Sequence, residues 1–362
     1  MTEILLLGGG RIGQTIAAFL AGSGDYRVTV ADHDKDNLRP FAGLENIESM
    51  VLDFADPAAL GAAMQDKFAV LSAAPYQLNQ TIATAAKAAA IHYLDLTEDV
   101  ASARHVKGLA EGSKTAFIPQ CGLAPGFISI VAYDLTKNFD ALHDVRLRVG
   151  ALPQYPTNAL KYNLTWSTEG LINEYINPCE AIVEGERREM PALGGREEFL
   201  LDGIAYEAFN TSGGIGTLGE TLKGKVRNLN YRTIRYPGHR DLVRLLIRDL
   251  RLGQRPDLLK EIFELALPMT YQDMVVIFAT VIGKKGQRIE QESYARRIHA
   301  REIDGRQWTT IQITTASGVC AVLDLLAQGK IRDHGLVRQE EIDFKDFITN
   351  RFGANYAFPG DR

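Results

Sequence analysis

The sequence predicts an α/β fold: a doubly wound parallel sheet of the Rossmann type that carries an inserted mixed α+β domain. Short apolar runs alternate with helical stretches over residues 1–126, as in parallel strands joined by helical crossovers. A glycine-rich turn follows the first apolar run directly. Beyond Gly126 the pattern changes to the two-residue alternation of half-exposed strands. We therefore predict a first domain at 1–126, to which 314–362 returns, and a second domain at 127–313.

The elements of the first domain follow from these runs. Continuously apolar runs predict strands that are buried on both faces. The predicted strands are Ile4–Leu7, Val28–Ala31, Ile47–Leu52, Val70–Ala74, His92–Leu94 and Ala116–Ile118. The predicted helices between them are Gln14–Ala21, Pro57–Met64, Thr81–Ala89 and Val100–Gly112.

The second domain is predicted to be largely antiparallel. Val145, Leu147 and Val149 alternate with arginines, which is typical of a strand with one wet face. Further elements are predicted as strands at Val275–Ile282, Ile289–Ile298 and Tyr231–Tyr236, a turn at Gly283–Gly286, and helices at Leu242–Leu250, Leu258–Ala266 and Thr314–Ala327. A mixed region of this kind is the natural place for substrate recognition.

Composition narrows the class of protein. The chain of 362 residues carries 40 Lys and Arg against 45 Asp and Glu, which disfavours nucleic acid and membrane surfaces as partners. The longest apolar run, Met274–Ile282, is about half of the ~18 residues typical of a membrane span, and the N-terminus lacks the positive region of a signal peptide. Three widely spaced cysteines are typical of reduced thiols. We expect a cytoplasmic enzyme that forms a homodimer or a higher homo-oligomer.

The glycine-rich turn predicts a dinucleotide site. Gly8, Gly10 and Gly13 form the pattern G-x-G-x-x-G, with Arg11 and Ile12 opening the helix that follows. In this context Gly8 permits the turn, Gly10 lets a pyrophosphate approach the backbone, and Gly13 lets helix and strand pack closely. The helix N-terminus adds N–H donors and a partial positive charge.

Acidic residues that end the next two strands bear on the identity of the cofactor. Asp32, nineteen residues after Gly13, is placed to accept the ribose hydroxyls of NAD and to repel the 2′-phosphate of NADP. The sequence therefore favours NAD, with NADP as the less favoured cofactor. Asp53 is placed to meet the adenine side, although a solvated loop acid before a helix fits it equally well.

Three loops leave the carboxyl ends of later strands, where ligands bind in open parallel sheets. They contain Ser72, Ala73, Ala74, Pro75 and Tyr76; the acidic run Asp95–Asp99, which includes Thr97; and Cys121–Gly126, which includes Leu123 and Pro125. Small residues let the backbone lie against a cofactor, and Tyr76 offers a hydroxyl. Helix capping by Thr97 or Asp99 and surface packing of Tyr76 are open alternatives. Cys121 is interpreted as a thiol beside the cofactor rather than a nucleophile, because no motif of acyl transfer surrounds it.

Several stretches together resemble the saccharopine dehydrogenases and their relatives, the lysine 6-dehydrogenases. They are the glycine loop, Ala74–Tyr76, Gly122–Gly126, Val149–Pro153, Asn163–Leu171 and Tyr231–Tyr236. The resemblance runs from the N-terminus to about Ala327, and the order and spacing of the later motifs make it specific.

The resemblance implies an NAD(P)-dependent oxidoreductase that acts on a C–N bond of an amino acid in lysine metabolism. It points to Tyr76, the Asp95–Thr97 loop, Arg232 and Thr233 as residues that contact substrate. An Arg that binds a substrate carboxylate in the glutamate-forming enzymes does not carry over: its segment here holds Asn210 and Thr211. Saccharopine has three carboxylates and lysine has one, so the absence of this Arg favours lysine as the substrate. Replacement cations are available in Arg232, Arg235 and His239.

The chemistry implied requires deprotonation of an amine and hydride departure to nicotinamide, followed by hydrolysis of the imine. Asp95 is the first candidate for the general base or ammonium orienter, with Tyr76 as a hydrogen-bond partner. His239 is the next candidate, with a packing role after Pro237-Gly238 as its alternative. Trp166 is expected either to wall the aliphatic chain or to pack in the core. No cluster has metal-ligand spacing, so no metal is expected.

Three functions compete. The first is oxidation of saccharopine or of free lysine to 2-aminoadipate 6-semialdehyde. The second is a reductive enzyme that joins an aldehyde to an amine, as in carboxyspermidine-type synthesis. The third is a non-catalytic NAD-binding regulator, against which the carboxylates of the Asp95–Asp99 loop argue.

Overall fold

The computed structural model describes residues 1–357 and divides the chain into two compact units. Unit 1 holds residues 1–127 together with the chain from Gln312 onward, and unit 2 holds Ile128–Ile311. The limits predicted from the sequence are 126 and 314, and both observed limits fall near the start of a helix.

The elements are numbered along the chain. The strands are β1 (Thr2–Leu7), β2 (Tyr26–Asp32), β3 (Ile47–Val51), β4 (Ala69–Ser72), β5 (His92–Asp95), β6 (Ala116–Ile118), β7 (Ala141–Pro153), β8 (Cys179–Val183), β9 (Glu186–Met190), β10 (Glu197–Leu201), β11 (Ile204–Phe209), β12 (Val226–Arg235), β13 (Asp273–Lys285), β14 (Arg288–His299), β15 (Arg301–Ile303), β16 (Arg306–Trp308) and β17 (Gly335–Leu336). The α-helices are α1 (Arg11–Gly22), α2 (Lys35–Leu38), α3 (Pro57–Ala63), α4 (Asn79–Ala89), α5 (Val100–Ala110), α6 (Phe127–Thr136), α7 (Thr168–Ile176), α8 (Leu218–Thr221), α9 (His239–Arg244), α10 (Pro256–Ala266), α11 (Thr310–Ala327) and α12 (Phe344–Thr349).

Unit 1 is built on a parallel sheet in the order β17-β6-β5-β4-β1-β2-β3. The strand order reverses direction at β1, with β2 on one side and β4 on the other, which makes the carboxyl ends there the expected ligand position. The apolar residues of these strands are almost fully buried, and they pack against α3, α4 and α5 in one core cluster. The predicted Rossmann-type α/β fold is confirmed.

Helix α11 brings the chain back to unit 1. Tyr26 of β2 donates a hydrogen bond of 2.6 Å to the Asp324 carboxylate, and Gln312 contacts the Thr15 hydroxyl at 3.2 Å. Gly318 packs so closely on the loop after β6 that a β-carbon would lie 2.6 Å from the Cys121 carbonyl oxygen. By length and composition α11 also passes as a membrane span, but 89% of it is buried inside the protein, as in the core helix of a globular domain.

Unit 2 carries a mixed sheet in the order β10-β11-β12-β7-β13-β14, with β8 and β9 added beside β12. Its neighbours are antiparallel except β12 and β7, which run parallel. Tyr162, Tyr175, Phe209 and residues of α10 form one core cluster, and Tyr206, Ile234 and Val276 belong to another.

Three predicted elements, two in unit 2 and one in unit 1, have different limits. The turn is not at Gly283–Gly286, because β13 continues to Lys285 and only Gly286, with φ at +60°, keeps the left-handed conformation of a turn. The predicted helix Leu242–Leu250 is instead α9 followed by a π-helical segment, Leu245–Asp249. The predicted strand Val70–Ala74 ends at Ser72, so that Ala73 and Ala74 lie in the loop.

Candidate functional site

The glycine loop between β1 and α1 has no room for side chains at two positions. Gly8 has φ at +105°, and a β-carbon on it would lie 2.6 Å from the Ala73 carbonyl oxygen. A β-carbon on Gly13 would lie 1.9 Å from the Gly8 carbonyl oxygen. These contacts hold the start of α1 against the ends of β1 and β4, as the motif predicts.

Gly10 differs from its neighbours because its surroundings are open. A β-carbon on Gly10 would meet no atom within 4 Å, and no side chain caps α1 at this position. Arg11 and Ile12 are the first residues of the helix. An uncapped helix N-terminus that faces an open space offers N–H donors and a positive dipole, which is the cradle that a pyrophosphate requires. The residues present therefore fit a dinucleotide.

Asp32 lies at the end of β2 and holds the glycine loop. Its carboxylate accepts hydrogen bonds from Gly9 N at 2.8 Å, Asp34 N at 2.9 Å and Asn37 Nδ2 at 3.2 Å, while His33 Nδ1 lies at 3.3 Å. The side chain is 4% exposed. Asp32 thus places its carboxylate beside the predicted ribose position and also fixes the loop.

The residues that follow β3 and β4 are arranged differently from one another. Asp53 is exposed and accepts a hydrogen bond from Ala55 N at 2.8 Å within its own turn. Ser72 is buried and donates a hydrogen bond of 2.6 Å to Asn79 Oδ1. Ala73, Ala74 and Pro75 then lead to Tyr76, whose side chain is half-buried and whose carbonyl accepts a hydrogen bond from Ser102 Oγ. The hydroxyl of Ser72 is therefore committed to the fold.

Asp95 is an internal clamp of the loop after β5. Its Oδ1 accepts hydrogen bonds from Thr97 N at 3.0 Å and Gln120 N at 2.9 Å, and its Oδ2 accepts one from the Tyr93 hydroxyl at 2.7 Å. Burial raises the pKa of Asp95 to about 6, although these hydrogen bonds lower it. Because the side chain is 0% exposed, the geometry does not support the predicted role as a base in contact with substrate.

Two further side chains of this loop, those of Thr97 and Asp99, accept hydrogen bonds from backbone N–H groups. Thr97 Oγ1 accepts a hydrogen bond from Asp99 N, and Asp99 caps α5 through Ser102 N at 2.7 Å. Glu98, between them, is half-buried. Burial and the negative charges of Asp99 and Asp95 raise the pKa of Glu98 to about 7. Glu98 is therefore the carboxyl group of this loop best suited to exchange a proton near neutral pH.

The loop after β6 is closed tightly upon itself. A β-carbon on Gly126, where φ is +132°, would lie 2.0 Å from the Gly122 carbonyl oxygen. Leu123 and Pro125 are buried within the loop. The Cys121 thiol is fully buried, burial raises its pKa well above the ordinary value, and Gln339 Nε2 contacts it at 3.2 Å. Such a thiol is inert, in agreement with the prediction that Cys121 is not a nucleophile.

In unit 2, Arg235 is the centre of a second polar cluster. Its guanidinium donates hydrogen bonds from Nε to the Tyr175 hydroxyl and from Nη1 to Thr233 Oγ1, each at 3.0 Å. The guanidinium also lies 4.9 Å from the centre of the Tyr162 ring. Arg235 is 2% exposed, and among residues 1–357 no carboxylate lies within ion-pair distance of it. Although burial opposes it, the negative charge of Glu174 helps to raise the pKa of Arg235. A buried cation without an ion-pair partner is a candidate site for an anionic ligand.

His239 belongs to this cluster but is not placed as a general base. Its Nδ1 lies 2.8 Å from the Leu160 carbonyl oxygen, and its Nε2 lies 3.0 Å from the Tyr175 hydroxyl. Burial and the charge of Arg235 lower the pKa of His239 to about 3. With both ring nitrogens engaged and the ring neutral, the alternative packing role fits His239 better than its predicted role in catalysis.

Arg232 and Asn210 lie apart from Arg235, because side chains of a strand alternate between the two faces of the sheet. The Arg232 guanidinium pairs with Glu197 and donates a hydrogen bond of 3.3 Å to Asn210 Oδ1. Glu197 also pairs with Arg148, which is buried. Arg232 therefore already has an ion-pair partner, and the geometry does not support its predicted use as a free cation for substrate.

The remaining predicted substrate residues, Thr211, Trp166 and Thr233, are buried or partly buried in unit 2. Thr211 is 2% exposed, and its hydroxyl has no hydrogen-bond partner among residues 1–357. Trp166 is partly buried and packs against the core cluster of α7 and α10, so its core alternative is the one observed. Thr233 Oγ1 donates to the Val149 carbonyl oxygen at 3.3 Å and accepts from Arg235.

Sequence reasoning missed Tyr175, Tyr162 and Glu197. Tyr175 lies on α7, a helix that no periodicity argument predicted, and it is 60 residues from Arg235 along the chain. A local pattern carries no signal for such a contact. Among residues 1–357 no group of three or more metal-ligating side chains is arranged to hold a metal ion.

Two family models match successive parts of the chain. The model described as the saccharopine dehydrogenase NADP binding domain matches residues 4–116, and the model described as the saccharopine dehydrogenase C-terminal domain matches residues 122–353. The second match alone covers more than half of the chain.

Curated relatives and a solved structure agree with this. The chain is 23% identical over 223 residues to a saccharopine dehydrogenase [NADP(+), L-glutamate-forming] of Schizosaccharomyces pombe, covering 58% of this chain and 49% of the relative. It is 22% identical over 200 residues to the mitochondrial alpha-aminoadipic semialdehyde synthase of Bos taurus, covering 53% of this chain and 21% of the relative. The chain thus spans half or less of the length of these relatives. Apo saccharopine dehydrogenase (L-Glu forming) from Saccharomyces cerevisiae has the same fold, with a TM-score of 0.78 at 17% identity and 94% coverage of both chains.

Proposed function

Because this chain belongs to the saccharopine dehydrogenase family, we propose that it is an NAD(P)-dependent oxidoreductase that oxidises the C–N bond of an amino-acid amine. The proposed substrates are free lysine and saccharopine, and the proposed product is 2-aminoadipate 6-semialdehyde. The observation that supports this substrate class is the buried Arg235 guanidinium, which has no carboxylate at ion-pair distance among residues 1–357 and would form an ion pair with the carboxylate of an amino acid.

The cofactor is proposed to lie on the glycine loop. Gly8, Gly10 and Gly13 would hold the pyrophosphate at the N-terminus of α1, and Asp32 would face the ribose. The names of the family model and of the S. pombe relative lean toward NADP. The preference for NAD is our proposal and rests on Asp32, since a carboxylate repels a 2′-phosphate. When bound, the nicotinamide supplies the acceptor for the hydride of the amine carbon.

The residues of the chain are proposed to manage protons and orientation. The substrate ammonium must lose a proton before its carbon is oxidised, and Glu98 has a pKa of about 7, near the value that favours a general base at neutral pH. Tyr76, after the neighbouring strand β4, remains the proposed hydrogen-bond partner. Asp95 fixes the backbone of this loop through Thr97 and Gln120.

Free lysine is the favoured substrate of the two. Saccharopine needs cations for three carboxylates, whereas lysine needs one. Arg232 is already paired with Glu197, and Thr211 cannot act as a cation, which leaves Arg235 as the arginine of the predicted substrate residues without an ion pair among residues 1–357.

A steady-state assay tests this proposal. Purified protein is given lysine or saccharopine with NAD or NADP, and formation of the reduced dinucleotide is followed by absorbance. We expect turnover with at least one pair of substrate and cofactor, and an Arg235→Lys variant should raise KM about 10–100-fold, the range for a lost hydrogen bond to a charged group. Ornithine serves as a control for chain length. Absence of turnover with all four pairs would contradict the proposed function.

A further inference from the structure

A chain of three hydrogen bonds runs through the buried cluster of unit 2. The Leu160 carbonyl oxygen can only accept, so His239 Nδ1, at 2.8 Å, carries the hydrogen. His239 is neutral, and its Nε2 must therefore accept from the Tyr175 hydroxyl at 3.0 Å. The Tyr175 oxygen is then left with its lone pairs for Arg235 Nε, at 3.0 Å. This assignment gives every bond of the chain one direction, from Arg235 to Leu160.

The other contacts of Arg235 complete its immobilisation. Nη1 donates to Thr233 Oγ1 at 3.0 Å and to the Ile234 carbonyl oxygen at 2.8 Å. The rings of Tyr162 and Tyr175 lie 4.9 and 5.9 Å from the guanidinium carbon. Nη2 has no hydrogen bond to residues 1–357. A guanidinium held at Nε and Nη1 presents its remaining donor in a fixed direction, which reduces the loss of side-chain entropy when an anion binds.

We propose that Tyr175 and His239 are positioning residues that fix the Arg235 guanidinium for the carboxylate of the substrate amino acid. This inference rests on the proposed function. Neither residue is proposed to contact the substrate. Tyr175 positions Arg235, and His239 positions Tyr175 by accepting a hydrogen bond from its hydroxyl group.

The tautomer of His239 is the critical feature of this arrangement. If Nε2 carried the hydrogen, the Tyr175 hydroxyl would have to accept from His239, and its own hydrogen would point toward Arg235, which is a donor. Two donors would then face each other in a buried site, where an unmade hydrogen bond is costly. A glutamine at position 239 can imitate the observed pattern with one N–H and one carbonyl oxygen, whereas leucine cannot.

The test compares lysine with lysinamide, in which a neutral amide replaces the carboxylate. Tyr175→Phe and His239→Leu should raise KM for lysine about tenfold or more, since a hydrogen bond that positions a charged group is lost, with kcat close to that of the wild type. The KM for lysinamide should change little, so the preference for lysine narrows. His239→Gln should retain most of that preference.

Controls separate positioning from a general loss of structure. Tyr206→Phe removes a hydroxyl from another fully buried tyrosine of unit 2, which packs with Phe199 and Tyr236, and should leave both KM values unchanged. Melting temperatures identify variants that fail to fold, and if His239→Leu is one of these, Tyr175→Phe, which removes only a hydroxyl group, carries the comparison. Equal changes for lysine and lysinamide, or no change for lysine, would overturn the proposal.

Binding measurements distinguish this inference from the proposed function. If the wild type oxidises no amine, the proposed function fails. Calorimetric titration of the wild type and Tyr175→Phe with lysine then still tests whether Tyr175 positions Arg235 for a carboxylate. Tighter binding by the wild type supports it, and equal binding or no binding overturns it. If the wild type oxidises lysine and the variants keep its preference for lysine over lysinamide, only the proposed positioning role of Tyr175 and His239 fails.

Discussion

At the scale of single residues, Asp95 shows how a carboxylate can serve the fold at the edge of a ligand site. Asp95→Ala would leave two backbone N–H groups and the Tyr93 hydroxyl without their acceptor. We expect the free energy of unfolding to fall by about 3 kcal/mol or more, because three buried groups lose their acceptor and each unmade hydrogen bond is destabilising by about 1–3 kcal/mol. Asp95→Asn keeps Oδ1 as the acceptor for both N–H groups, so its free energy of unfolding should fall much less. Chemical denaturation of both variants measures this difference.

The Asp95→Asn variant also distinguishes a structural role of Asp95 from a catalytic one. In Asp95→Asn we expect turnover within about tenfold of the wild type, whereas a general base would lose about 10²–10⁴-fold. The folded-state pKa of Asp95, about 6, lies above its ordinary value, so the wild type loses stability as pH rises through about 6. The stability of Asp95→Asn relative to the wild type should therefore increase between pH 4 and pH 7. A large loss of kcat in a stable Asp95→Asn protein would restore Asp95 as the base.

Glu98 is the residue whose substitution should affect proton transfer. Glu98→Gln should lower kcat by about 10²–10⁴-fold and remove the acidic limb of the pH profile, because the carboxylate form accepts the proton. Binding of the dinucleotide, followed by fluorescence, should not change. Asp99→Asn is the matched control in the same loop: it affects the cap of α5 and should leave the pH profile as in the wild type. A Glu98→Gln enzyme of normal activity would refute this assignment.

We propose that Asp32 sets the cofactor preference. Asp32→Asn keeps an acceptor for the Gly9 N–H and removes the negative charge. We expect the affinity ratio of NADP to NAD to increase about tenfold or more, which corresponds to about 1.4 kcal/mol of relieved repulsion. Fluorescence titration with both dinucleotides measures the ratio. Wild-type protein that binds NADP more tightly than NAD would show that Asp32 does not exclude the 2′-phosphate.

Residues were predictable where chemistry follows from local sequence. The glycine loop and Asp32 were found by motif and spacing, and the structure gives them open space and a common hydrogen-bond network. Arg232 and Arg235 were grouped together although an odd spacing in a strand puts side chains on opposite faces. Burial of Asp95 and the partnership of Tyr175 with Arg235 depend on tertiary packing, which no single stretch of sequence records.

At the scale of elements, the β1–α1 turn allows two glycines to be compared. Gly10→Ala places a methyl group where no atom lies within 4 Å, at a backbone φ of −66°, so stability should be unchanged. Dinucleotide affinity should fall, because the methyl group occupies the approach of the pyrophosphate. Gly8→Ala meets Ala73 at 2.6 Å with φ at +105° and should lose stability as well. Melting curves with and without dinucleotide measure both effects; unchanged affinity in Gly10→Ala would place the phosphates elsewhere.

Elements were predicted well where burial on both faces gives a continuous apolar run. The strands of unit 1 agree with the prediction to within a few residues for this reason. Strands β8 to β11 in unit 2 were missed, because runs such as Glu186–Met190 are mostly polar and exposed. The long hairpin of β13 and β14 was recognised, but its turn was placed early because Gly283 resembles a turn residue and lies instead within a strand.

At the scale of the whole molecule, we propose that the protein oxidises an amine carbon, which then loses its nitrogen. Lysine labelled with heavy nitrogen at the side-chain amine tests this claim most directly. Lysine, oxidised dinucleotide and water should give 2-aminoadipate 6-semialdehyde, reduced dinucleotide and one labelled ammonium ion for each dinucleotide reduced. With saccharopine, the secondary-amine nitrogen should leave in glutamate instead. Mass spectrometry of the products that finds this stoichiometry with either substrate supports the account; reduction of dinucleotide with the labelled nitrogen still bound to the lysine carbon chain, or no reduction with either substrate, contradicts it.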